Sequence, residues 1–280
     1  MKGINMTANS PLRAAAPRPQ PASPYGLLAE LSGNWSGQGF NLIAVPQSGG
    51  FRLILNATTE HLQFTPIDGP IPNRGSSQGD INIFGLTYLQ RVNDAQTHEG
   101  IHIEPGIWLN VPATTSPDAP ASIVRQSTIP HGDSLLAQGA GFAVAGGPQI
   151  APVSSKPTGP GPDLNRLGYL DPYFRSALPP GMPQSYVGNM NQALVDAIQG
   201  QNIVNTVVLK VASIPVGGIV NIPFINVNAN ATKMEAIFWI ETVERADGTQ
   251  FMQLQYTQTV ILNFLDIDWP HISVATLIKT

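Results

Sequence analysis

The stretch Gly33-Asn34-Trp35-Ser36-Gly37-Gln38-Gly39 constrains the fold more than any other in this chain. Its glycines and its one large aromatic stand at intervals of two, so on a strand all of them point to one face. A glycine there lets another backbone or a ligand approach closely, and it permits the sharp bend of a barrel corner. A Gly-rich first strand whose Trp35 plugs the end of a barrel satisfies the pattern without any ligand.

The composition agrees with a turn-rich β fold. Charged residues are only 11% of the 280, against about a quarter in ordinary globular chains. Asn, Gln, Ser and Thr, with 27 Gly and 26 Pro, take their place. A net charge of −4 and 14 scattered basic residues exclude a nucleic-acid partner, because phosphates need a Lys/Arg cluster to neutralise them. There is no cysteine, which excludes disulfides, thiolate metal sites and thiol nucleophiles. No apolar run reaches the roughly 18 residues of a spanning helix, so no membrane partner is expected. The first ten residues lack the apolar core of a secretory signal, and the expected location is the cytoplasm.

Residues 1–24 are rich in Pro, Ala, Ser and Arg and read as a disordered or polyproline arm. One barrel domain is expected over 25–280. Leu27–Leu31 make a helical turn, and strands are expected over Asn34–Val45, Phe51–Phe64, Ile81–Arg91 and His98–Pro112, the last broken by a bulge or kink at Pro105-Gly106. Ser122–Ile129 and Ser134–Ala145 follow. From 146 to about 202 the pattern lapses into Pro/Gly-rich chain with short helices at Asp171–Leu178 and Asn189–Gly200. This insertion has too few apolar residues for its own core, and it is a candidate cover for a barrel mouth. Strands resume over Ile203–Ser213, Gly218–Asn226, Thr232–Glu244 and Phe251–Phe264, with Asp247-Gly248 as a hairpin turn, and Trp269–Lys279 closes the chain. The expected fold is all-β, an antiparallel up-and-down β-barrel of about ten strands with a helical and loop insertion.

Three motifs in order resemble the nitrobindin family, small haem-binding β-barrels related in shape to fatty-acid-binding proteins. They are G-x-W-x-G-x-G at 33–39, His102-Ile-Glu-Pro-Gly106 with Gln126-Ser-Thr128 in the next strand, and Pro270-His271 after the strand that contains Leu254-Gln-Tyr256. The penultimate strands also resemble that family, so the likeness covers 27–145 and 228–279. It implies haem b as cofactor, with His271 as the axial iron ligand, Trp35 flooring an apolar pocket, and His102 and Gln126 lining it. Haem iron needs a neutral imidazole held by a hydrogen bond on its other nitrogen. Isomerisation of peroxynitrite to nitrate is the activity implied. The chain departs from the family in its insertion, in the stretched link Leu265–Trp269, and in lacking a basic residue soon after His271, where Ile272-Ser-Val-Ala stands instead.

Other readings stay open beside this one. His271 has the alternative reading of an exposed or capping histidine near a terminus, and His102 reads equally as a buried histidine bonded to Glu104 or Thr128. The same barrel suits a lipocalin-like carrier of a fatty acid or another apolar molecule, which needs only an enclosed cavity with a few polar groups. A structural protein that assembles into homo-oligomers is the third reading. A nucleophile elbow and a phosphate loop are absent. A zinc site from His98, His102 and Glu104 is disfavoured by Gly100 and Pro105, which break the regular strand it needs.

Overall fold

Hairpin follows hairpin from end to end of the barrel. The computed structural model describes residues 23–159, 164 and 168–280, so nearly all of the proposed arm lies outside the described residues. The first strands are β1 (Gly33–Gln47), β2 (Gly50–Pro66), β3 (Ile71–Asn73), β4 (Ile81–Asp94) and β5 (Gly100–Val111). After the two-residue strands β6 (Thr114–Thr115) and β7 (Asp118–Ala119) come β8 (Ser122–Ile129) and β9 (Asp133–Ala145). Short helices α1 (Asp171–Arg175), α2 (Gln184–Gly188) and α3 (Gln192–Ala197) precede β10 (Asn202–Asn221). Then α4 (Pro223–Asn228) leads into β11 (Asn230–Glu244), β12 (Gln250–Phe264) and β13 (Ile267–Lys279).

The order β2-β1-β13-β12-β11-β10-β9-β8-β5-β4 returns to its start because β2 also pairs β4, which makes a closed antiparallel barrel of ten strands. The β2–β4 pairing removes the free edge that an open sheet of these ten strands would have. Gly37 and Gly39 have the role that their spacing suggests. A Cβ on either would overlap the β13 backbone, at the carbonyls of Thr276 and Val274 respectively.

One end of the barrel is sealed. The 3-10 turn Gly26–Leu31 lays Leu28 and Leu31 across it, and Trp35 Nε1 donates to the Leu31 carbonyl at 2.7 Å. The inward residues above them, among them Trp108, Leu209, Phe238 and Leu277, fill the lower barrel as one apolar core.

The insertion packs somewhere other than expected. It lies along the outer wall, where Tyr186, Met190 and Leu194 cover the outward residues Leu42, Val208, Trp239 and Ile272. The reason is visible in the strands, whose outward positions are apolar here. A two-sided apolar wall needs a second layer to cover it, and the mouth does not.

Three local expectations are also corrected. Gly218–Asn226 is not one strand: β10 ends at Asn221 and Pro223 opens α4, since proline lacks the ladder N–H and its fixed φ suits a first helical turn. β10 itself joins the two strands expected on either side of 214–217. β5 runs unbroken through Pro105, which pairs Leu89 of β4; its ladder to β8 begins only at Gly106, and the irregularity lies earlier, at Ile101. Among the described residues no helix is long and apolar enough to cross a membrane.

Candidate functional site

The upper barrel, opposite the Trp35 end, encloses a cavity of about 480 Å³. Its wall is mostly apolar, with Ile43, Val92, Leu135, Ile219, Val260 and Leu262 turned inward by the period of two along their strands. Ile225 and Asn228 of α4 contribute to the lining, so this helix, and not the insertion, lies at the mouth. The volume falls within the range of about 300–1,000 Å³ usual for small-molecule sites.

Three histidines converge here from separate parts of the chain. His271 points inward from β13, His102 from β5 and His131 from the β8–β9 turn. Around the barrel β13 lies four strands from β5 in one direction and four from β9 in the other, so His271 faces the other two across the cavity. The rings of His102 and His131 meet edge to face with centroids 5.7 Å apart.

His271 is held by one bond. Its Nε2 lies 2.8 Å from Asn41 Oδ1, which also accepts from Ser273 Oγ at 3.0 Å. A carbonyl oxygen only accepts, so Nε2 carries the proton and Nδ1 keeps a free lone pair. Burial pushes the His271 pKa down to about 3, and the facing His102 and His131 push it the same way. The ring is neutral at physiological pH. Part of its surface is open to the cavity.

Beneath the cavity is a charged layer that the motifs do not reveal. Arg125, fully buried, donates from Nη2 to Glu104 Oε1 at 2.7 Å, from Nε to Tyr88 Oη at 2.9 Å and from Nη1 to Gln258 Oε1 at 2.7 Å. Its guanidinium also lies over the rings of Tyr88, Trp108 and Phe238. Burial alone would raise the Glu104 carboxyl, but Arg125, with His102 and Tyr88 assisting, holds it well below the usual carboxylate range. Glu104 Oε2 in turn lies 3.2 Å from His102 Nε2. His102 therefore does bond Glu104, as one sequence reading had it, while it also lines the cavity.

A second buried acid sits in the same layer with no ion-pair partner among the described residues. Glu60 accepts from Tyr256 Oη at 2.6 Å, Thr58 Oγ1 at 2.9 Å and Gln90 Nε2 at 3.3 Å. Burial raises its pKa, and those hydrogen bonds only partly oppose the rise.

The remaining sequence candidates lie elsewhere. Gln126 is exposed on the outer surface, because Arg125 and Ser127 take the inward positions of β8. Trp35 is fully buried at the sealed end and does not touch the cavity. Eight residues of β13 separate its partner Lys279 from His271, about 27 Å at strand rise. The residues that motif reasoning passed over are Asn41, Arg125, His131 and Asp133. The available signal was parity, since each of the first two is a polar residue at an inward position among apolar ones. His98, in the turn before β5, does not line the cavity. Among the described residues no group of three or more His, Asp or Glu side chains could hold a metal ion by itself.

No protein-family model matches this sequence, and no curated protein matches it. Solved structures do. One of them is the crystal structure of Rv2717c from M. tuberculosis, 13% identical over 90% of this chain and 94% of that one, with a TM-score of 0.46. A likeness that distant says nothing about ligand or chemistry.

Proposed function

We propose that the upper cavity binds a flat, largely apolar prosthetic group of the haem class, with His271 as its axial ligand. The observation that carries this reading is the neutral His271 imidazole inside an apolar cavity, anchored on one nitrogen by Asn41 with the other free. Axial ligation of haem iron needs such a ring. Haem needs one axial histidine and no cluster of ligands, so the lack of a three-residue metal group does not count against it.

On this reading Asn41 and Ser273 fix the His271 ring. Ile43, Val260 and Leu262 would exclude water around it, and His102 and His131 would hold the group from the opposite wall. Glu104, held ionised by Arg125, lies against His102 Nε2 and fixes that ring at the cavity wall. When bound, ferric haem would supply an electrophilic iron for reactive nitrogen species. That last step, peroxynitrite isomerisation included, is supported by the motif resemblance alone.

The test is a visible titration with ferric haem beside His271→Ala. A sharp Soret band saturating at one haem per chain, lost or shifted in the variant, supports the proposal. Identical weak, broad spectra for both proteins reject it.

A carrier of a slender apolar molecule without haem is the second reading. It is favoured by a groove of about 880 Å³ on the outside of the barrel, which shares the lining residue Met234 with the cavity.

A further inference from the structure

The wall between β10 and β11 is only partly laddered. Their pairing runs from Asn202↔Glu244 to Ala212↔Glu235 and stops there. Above that point β10 stays with β9, resuming at Gly217 after skipping four residues, and β11 stays with β12. Two strands that are neighbours in the lower barrel thus part toward the mouth. The split is bridged by side chains. Met234 N–H donates to Ser213 Oγ at 2.9 Å, and Asn221 Nδ2 donates to Asn230 Oδ1 and to the Ala231 carbonyl, each at 2.9 Å.

Cavities lie on both sides of this split. Inside is the site of about 480 Å³. Outside is a groove of about 880 Å³ between the wall and residues 145–153, with Val208, Ile237 and Trp239 in its lining. Met234 is the one residue that lines both. It belongs to the inward-facing set of β11, with Ala236, Phe238 and Ile240. Met234 is 2% exposed and its N–H is bonded to Ser213 across the split, so here the wall is closed by side chains and not by a β ladder. Methionine is unbranched with three rotatable bonds, so it can swing aside at little cost.

The groove also has a charge preference. Lys210 is paired with Glu235 at 2.8 Å, whereas Lys233 has no ion-pair partner among the described residues. An apolar lining with a free ammonium group suits a chain that ends in a carboxylate.

We propose that the β10–β11 split is a lateral window, gated by Met234, through which a single acyl-chain carboxylate passes from the outer groove into the inner cavity. The proposal rests on the inner cavity being a ligand site, but not on that ligand being haem.

The experiment is stopped-flow binding of cis-parinaric acid, a fluorescent acyl carboxylate, to the haem-free full chain. A gate changes association and dissociation together and leaves the dissociation constant comparatively unmoved. Met234→Trp is expected to slow both rates tenfold or more, and Met234→Ala to speed them severalfold. Because the chain has no cysteine, an Asn221→Cys/Asn230→Cys staple gives a second, reversible closure. Its oxidised form is expected to bind slowly, and reductant to restore the rate.

Rates within twofold of wild type in both Met234→Trp and the oxidised staple overturn the window, since the probe then uses the mouth. Binding that survives Val260→Trp, which fills the inner cavity, overturns it too, because the probe then sits in the outer groove. No probe binding by the wild type overturns the window together with the carrier reading. The Soret titration decides the haem reading separately in every case.

Discussion

His271 Nε2 and Asn41 Oδ1 lie 2.8 Å apart inside the barrel, joining β13 to its neighbour β1. That bond fixes which ring nitrogen is free. Replacing Asn41 by Leu keeps approximate volume and removes the acceptor, leaving a buried N–H unpaired at a cost of about 1–3 kcal/mol. The expected outcome is a lower melting temperature and a haem affinity reduced about 10–100-fold, with a displaced Soret maximum. Unchanged affinity would separate His271 from the site.

Arg125 and Glu104 form a buried ion pair, and among the described residues His102 is the further ionisable partner, on Glu104. Removing one partner strands the other. Arg125→Leu is expected to destabilise the fold by about 3–5 kcal/mol. The double variant Arg125→Leu/Glu104→Gln recovers part of that loss, because no buried charge is then left unpaired. Urea denaturation of the four proteins in the cycle measures the coupling.

Glu241 lies under the insertion on the outer face of β11. Gln253 Nε2 donates to its Oε2 at 2.6 Å while Oε1 has no partner. Burial pushes its pKa up to about 7 from the ordinary 4.5, against the smaller opposing effect of Gln253. Between those values the unfolded chain has lost the proton and the folded one keeps it. Stability therefore falls as pH rises from about 4.5 to about 7 and levels off above. The full loss is roughly 3 kcal/mol. Glu241→Gln is expected to remove this pH slope and to raise the melting temperature at pH 8 relative to wild type. An identical slope in the variant would rule Glu241 out as its source.

Trp35 seals the end remote from the cavity. Trp35→Ala is expected to cost about 3–5 kcal/mol in stability and to leave binding in the upper cavity unchanged where the protein remains folded. Lost binding in a folded Trp35→Phe protein would contradict this separation of the two ends.

The sequence alone determined the barrel. Period-two alternation, Gly-rich corners and an Asp-Gly hairpin are local signals, and each acts through the backbone of its own strand or turn. They predicted the strands β1, β2, β4, β8, β9, β11 and β12 closely, gave β5 a break at Pro105-Gly106 that it does not have, and misjudged β10. There the backbone choice depends on which neighbour keeps its ladder and on Pro223 starting a helix. The sequence also singled out His271 and His102 as site candidates. It could not say that Asn41, 230 residues away, fixes the His271 tautomer, or that His131 joins His102 across a turn. Nor could it say that Gln126 faces outward, since a motif gives residue identity but strand register decides the face. The insertion's place against the outer wall and the split at Met234 are likewise tertiary facts. Both follow from which surfaces remain unpaired after the barrel closes, and closure joins strands far apart in the chain.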